Sequence, residues 1–140
     1  MPKNTTPKEI DEQAAVVRWL DARGIKLFSA TAQSTFTGWS GINKNKKSGV
    51  RRGMPDLIIC LPSDQTKSNR DILVFIEMKR LKGGRTSPEQ RAWIEFINRS
   101  GNYGFVAKGA QVAIDFLKSL LKPKVESVLP LEEQEWFKSQ

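Results

Sequence analysis

A chain of 140 residues with a net charge of +8, one cysteine and no histidine is long enough for a single domain with a modest core. Without histidine, His-dependent nucleases, His-containing triads and His-ligated metals are excluded, and the lone Cys60 rules out an intramolecular disulfide or a cysteine-rich zinc site. The positive balance points to a polyanionic partner, nucleic acid first and an acidic membrane surface second.

A content of 39% hydrophobic and 27% charged residues reads as globular rather than disordered. No apolar run approaches the ~20 residues of a membrane span. The start of the chain has no signal-peptide core. The expectation is a cytoplasmic protein with no membrane contact.

In chain order, residues 1–5 read as a disordered lead, 6–122 as the folded domain and 123–140 as an acidic-leaning tail. Thr6-Pro7-Lys8-Glu9 has the form of a capping box, opening a helix to about Arg23 with Ile10, Ala14, Val17 and Leu20 as its apolar stripe and Gly24 as its stop. Ile25 to Ala32 alternates loosely, as a strand. From Gln33 to Arg52 the chain is polar and glycine-containing and reads as a long loop, a length that is usually functional or disordered. Two apolar runs follow, residues 53–60 and 72–79, joined by the turn-forming residues 62–71, and read as an antiparallel hairpin with Cys60 in the core. Ser87-Pro88-Glu89-Gln90 is a second capping box, for a helix through Arg99 with Trp93, Phe96 and Ile97 facing inward. A strand over 103–107 and an amphipathic helix over 110–121 complete the domain, with Pro123 as a breaker. This order predicts an α/β fold, a mixed sheet flanked by helices.

The chemistry concentrates in the hairpin. Its midpoint falls between Gln65 and Lys67, which sets Asp56 opposite Glu77, with Lys79 two residues further on the same face. Two carboxylates and an ammonium at one end of a buried sheet need a reason, because buried charge is costly unless it is paired or binds a metal. Asp56 and Glu77 are the ligand types for a hard divalent cation such as Mg²⁺, the Met78 carbonyl is a further candidate, and Lys79 can serve the attacking water or the phosphate. The bland alternative is a Pro-Asp turn beside an exposed Glu–Lys pair; three such residues on one face of one hairpin favour the functional reading.

Gly53-Met54-Pro55-Asp56-Leu57, Phe75-Ile76-Glu77-Met78-Lys79 and Ser87-Pro88-Glu89-Gln90 with Trp93 together resemble the VRR-NUC family, a branch of the PD-(D/E)xK nuclease superfamily, over residues 6–110. The resemblance implies a restriction-endonuclease-like core, Mg²⁺ or Mn²⁺ dependence and phosphodiester hydrolysis. It also implies a homodimer acting on branched DNA such as Holliday junctions, as in stand-alone members. It assigns the family's Asp, Glu and Lys to Asp56, Glu77 and Lys79. It matches a glutamate of the first helix to Glu9, with Gln13 one turn on and Glu12 in reserve. It places Gln90 beside the site and Gln33 near it. At both Glu9 and Gln90 the capping role competes with the site role.

A second signal is basic. From Ala22 to Pro55 there is no Asp or Glu, whereas Arg23, Lys26, Lys44, Lys46, Lys47, Arg51 and Arg52 supply seven positive charges, with Phe36 and Trp39 nearby. Such residues neutralise phosphates and stack on unpaired bases. Lys44, Lys46, Lys47, Arg51 and Arg52 are the expected DNA contacts; a merely solvated loop is the bland alternative. The expected function is a metal-dependent DNA endonuclease. Its rivals are a non-catalytic DNA-binding module on the same fold and a nuclease without junction preference. Trp19, Trp39, Trp136 and Phe137 are the large side chains available to a dimer interface.

Overall fold

The computed structural model of the protein describes residues 8–31, 47 and 49–124. Its elements are α1 (Glu9–Arg23), β1 (Phe28–Ala30), β2 (Leu57–Leu61), β3 (Ile72–Lys79), α2 (Pro88–Arg99), β4 (Tyr103–Lys108) and α3 (Ala110–Leu120). The four strands form one sheet in the order β1-β2-β3-β4. β1, β2 and β3 pair antiparallel, and β4 joins β3 in parallel after the crossover through α2. The result is a mixed sheet with helices against it, the expected α/β architecture.

The hairpin register agrees with the midpoint argument. Leu57 pairs with Ile76, so Asp56 and Glu77 are the next residues out. The β2–β3 connection is tied down by Thr66, whose Oγ1 donates to the Arg70 carbonyl at 2.7 Å and accepts from the Arg70 N–H at 3.1 Å. Alternation then sorts the faces. Leu57, Ile59 and Leu61 of β2 and Ile72, Val74, Ile76 and Met78 of β3 are buried in one cluster with Val16 and Leu20 of α1 and Ala113 and Leu117 of α3. Ile58, Cys60, Leu73, Phe75, Glu77 and Lys79 therefore face the other way, toward the side where α2 packs. Strict alternation in β3 stops at Ile76, and Glu77, Met78 and Lys79 are all buried.

Several expectations change. Thr6 and Pro7 lie outside the described residues, and the cap of the described helix is two residues beyond the expected one. Lys8 is the cap residue of α1 and Asp11, not Glu9, fills the third helical position, its Oδ2 accepting from the Lys8 N–H at 3.3 Å. Ile10 is exposed rather than part of the apolar stripe, because burial begins at Val16. Gly24 does end the helix, in the left-handed conformation at φ 83°. The first strand is only three residues long, although its pairing continues through the Thr31 N–H to the Asp56 carbonyl at 2.9 Å.

In α2 only Ile97 is buried; Trp93 and Phe96 are exposed. The cause is how closely α2 lies on β4. Gly104 lets it in, since a Cβ there would come within 3.2 Å of the Ile94 carbonyl and 3.3 Å of the Ile97 Cβ. The helix thus rests on its Ile94–Ile97 edge. Cys60 is half-buried on the sheet face opposite the main core. Trp19, expected as interface material, packs against the core with the Arg23 guanidinium 6.0 Å from its ring centre.

Candidate active site

Four elements converge where β2 begins and β3 ends. The Asp56 carboxylate accepts from the Met78 N–H through Oδ2 at 2.8 Å, a bond across the sheet that follows from the hairpin register. Glu77 Oε1 is held twice, by the Gln90 side-chain amide at 2.6 Å and by the Lys79 ammonium at 3.4 Å. Glu77 and Lys79 are 4% and 7% exposed, so this is a buried ion pair, worth keeping only with further partners. The second oxygen, Glu77 Oε2, is buried with no hydrogen-bond partner. An orphaned carboxylate oxygen beside a second carboxylate is an energetic liability that a cation would remove.

The electrostatics agree. Burial, and then the charge of Asp56, push the Glu77 carboxyl up to about 7, with Lys79 opposing and Glu9 adding to the rise. Burial also raises Asp56; the Met78 N–H and Lys79 oppose this, and Glu9 reinforces it. Glu9 thus acts on both carboxylates from the first residue of α1. Its move from the third to the first helical position frees it from capping.

Gln90 does not have to choose between its two expected roles. Its Oε1 accepts from the Ser87 N–H at 2.9 Å, completing the capping box, while its Nε2 donates to Glu77. An amide has an acceptor end and a donor end, so one side chain starts α2 and fixes Glu77.

Glu12, the reserve ligand, is used elsewhere. Its Oε2 accepts from the Ala110 N–H at 2.5 Å and so caps α3, whose own cap residue, Gly109, has no side chain to do this. The neighbouring Gly109 N–H reaches the Lys79 carbonyl at 3.0 Å. The turn into α3 therefore ties α1 to the end of β3, a link that sequence spacing could not reveal. Gln13 is half-buried on α1 and makes no hydrogen bond or ion pair with the other described residues of the site.

The segment before Asp56 is clamped onto α2. Gly53 has φ +92°, and a Cβ on it would lie 2.6 Å from the Glu89 carbonyl carbon and 2.8 Å from the Gln90 nitrogen. The Trp93 indole N–H donates to the Arg52 carbonyl at 3.2 Å. Arg51 and Arg52 are exposed at this edge, and Lys47 is also exposed. Gln33, Lys44 and Lys46, with Phe36 and Trp39, lie outside the described residues, as do Trp136 and Phe137 of the tail.

Among the described residues no group of three or more His, Cys, Asp or Glu side chains is arranged to enclose a metal ion. Asp56 and Glu77 form a pair, with Glu9 acting from further out. That donor set still fits Mg²⁺ or Mn²⁺, because Mg²⁺ commonly uses one or two carboxylates and completes its shell with water and substrate phosphate.

The mixed sheet thus carries a Pro-Asp at the start of one strand, Glu-x-Lys at the end of its neighbour and a capping glutamine bonded to that glutamate. The VRR-NUC domain matches residues 6–111, and the chain belongs to that family of nuclease domains. A solved structure described as a VRR_NUC domain protein shares the fold, with a TM-score of 0.60 at 23% identity over 83% of this chain and 89% of the other. No curated protein matches the chain. Among the described residues no helix is long and apolar enough to cross a membrane.

Proposed function

We propose that the protein is a metal-dependent endonuclease that hydrolyses DNA phosphodiester bonds at Asp56, Glu77 and Lys79. The observation that carries this is the orphaned Glu77 Oε2 beside Asp56, two carboxyls whose burial resists ionisation without a cation. Mg²⁺ or Mn²⁺ would be held by Asp56 and Glu77, with the Met78 carbonyl and Glu9 as further candidates. Such an ion supplies Lewis-acid polarisation of the phosphate and acidification of a water.

The chain's own groups do the rest. Gln90 and Lys79 both hold Glu77 Oε1, which keeps that carboxylate from rotating and leaves Oε2 presented. The Met78 N–H fixes Asp56 in the same way. Lys79 keeps its ammonium at the site by its bond to Glu77, where it can stabilise negative charge developing on the phosphate or donate a hydrogen bond to the attacking water. No histidine is available for that task.

Arg51 and Arg52, on the segment clamped to α2, would meet phosphates next to the reacting one, with Lys44, Lys46 and Lys47 extending the contact. The substrate class favoured by the family resemblance is branched DNA such as Holliday junctions, cut by a homodimer. An open groove of about 750 Å³, lined by Leu27, Cys60 and Leu73 among others, supports self-association, since Leu27 and Leu73 are large exposed apolar side chains.

The test is direct. Labelled duplex and four-way junction are incubated with wild type and Lys79→Ala, in Mg²⁺, Mn²⁺ or EDTA. Cleavage should require the ion and be lost in Lys79→Ala, with DNA affinity nearly unchanged. Binding without metal-dependent cleavage would instead identify a binding module, and equal cleavage of both substrates would remove the junction preference.

A further inference from the structure

The loop leaving β3 carries cations that none of the roles above absorbs. From Met78 to Pro88 there is no Asp or Glu, while beyond Lys79 the loop adds three positive charges, Arg80, Lys82 and Arg85. The loop doubles back at Gly83, φ +82°, and Gly84 then lies on the stem of Lys79, where a Cβ would be 3.1 Å from the Lys79 Cβ and 3.3 Å from its Cδ. From there Arg85 enters the wall of an open groove of about 640 Å³ between this loop, α2 and β4. Arg91 of α2 and Lys108 of β4 complete its positive lining, over a floor that includes Ile94 and Val106.

All three cations are exposed. Glu95 also lines the groove and offsets one of the three charges without forming an ion pair with any of them, which leaves the lining net positive. Like charges sharing a cleft with apolar walls focus a positive field into it. Among the described residues β4 is an edge strand, so no further strand of them closes the groove on that side. It opens on the β4 side of α2, whereas Arg51 and Arg52 belong to the segment that Trp93 binds, beside Ile58 of β2.

We propose that Arg85, Arg91 and Lys108 form a second DNA-backbone site, which holds the phosphates of the strand as it passes Lys79 on the β4 side. The proposal rests on the nuclease reading for the identity of the polyanion. With the site at Arg51 and Arg52, it would place the reacting phosphate between two groups of cations, one on each side of α2.

The test is a salt titration of binding to a fluorescein-labelled DNA duplex by anisotropy, in EDTA so that binding is read apart from cleavage. Each phosphate contact contributes about 0.9 to the slope of log K against log salt, so the triple variant Arg85→Ala, Arg91→Ala, Lys108→Ala should lose up to about 2.7 of slope. Lys118→Ala, on α3, should leave it unchanged. Should the triple variant melt early, the single substitutions Arg91→Gln and Lys108→Gln decide, each expected to lose about 0.9. A triple variant with the wild-type slope overturns the groove, and leaves the nuclease reading standing if the wild type cuts DNA. A lowered slope in a protein that cuts no DNA upholds the groove and removes hydrolysis.

Discussion

Glu77 carries most of the physical tension in this molecule, and its consequences can be measured without any substrate. Its carboxyl is pushed up to about 7 by burial first and by Asp56 second. In the unfolded chain it returns to an ordinary carboxylate value near 4.3. Between those two values the folded protein binds more protons than the unfolded one, so stability falls as pH rises through that window and stays lower above it. Metal-free protein should therefore melt at a lower temperature at pH 8 than at pH 5. Glu77→Gln, which keeps the bond to Gln90 but cannot ionise, should flatten much of that difference. Thermal melts of both proteins in EDTA check this; a wild type equally stable at the two pH values would mean that Glu77 ionises freely and that the site exerts no demand for a cation.

At the scale of elements, much was legible because it is local. The hairpin midpoint gave the Asp56–Glu77 register. Ser87 and Gln90 marked the start of α2, and Gly24 the end of α1. What was illegible depends on how one element lies on another. Gly104 lets α2 rest on its Ile94–Ile97 edge, which is why Trp93 and Phe96 stay exposed where their helical spacing had promised burial. Glu12 stood in reserve for Glu9, but α3 begins against it. The charged groove joins residues from a loop, a helix and a strand, none of which forms a dense run in the sequence. Gly53 lies between these cases: its place before Met54-Pro55-Asp56 drew attention, but its contact with Glu89 and Gln90 is a tertiary fact. Gly53→Ala meets both a left-handed φ and backbone atoms of α2, so it should destabilise the fold by roughly 1–3 kcal/mol. It should also loosen Arg52 from Trp93. Chemical denaturation checks the first effect, and a variant as stable as wild type would show that the clamp onto α2 is not needed for folding.

For the whole molecule, the net charge of +8 and the apolar groove beside Leu27 and Leu73 lead to two separate expectations, DNA binding and self-association. Light scattering at micromolar concentration should give twice the 15.8 kDa of one chain, since closed two-fold dimers are the commonest homo-oligomers. A mass near one chain would remove the dimer and leave the chemistry of the site untouched. That chemistry comes down to whether Asp56 and Glu77 hold a divalent ion. Crystals of the wild-type protein soaked in Mn²⁺ and measured for anomalous scattering answer this most directly. A strong peak should lie against Glu77 Oε2 and the Asp56 carboxylate, and should vanish in Glu77→Gln. Mn²⁺ bound elsewhere on the surface, with Glu77 Oε2 still without a partner, would refute the metal site and with it the proposed hydrolysis.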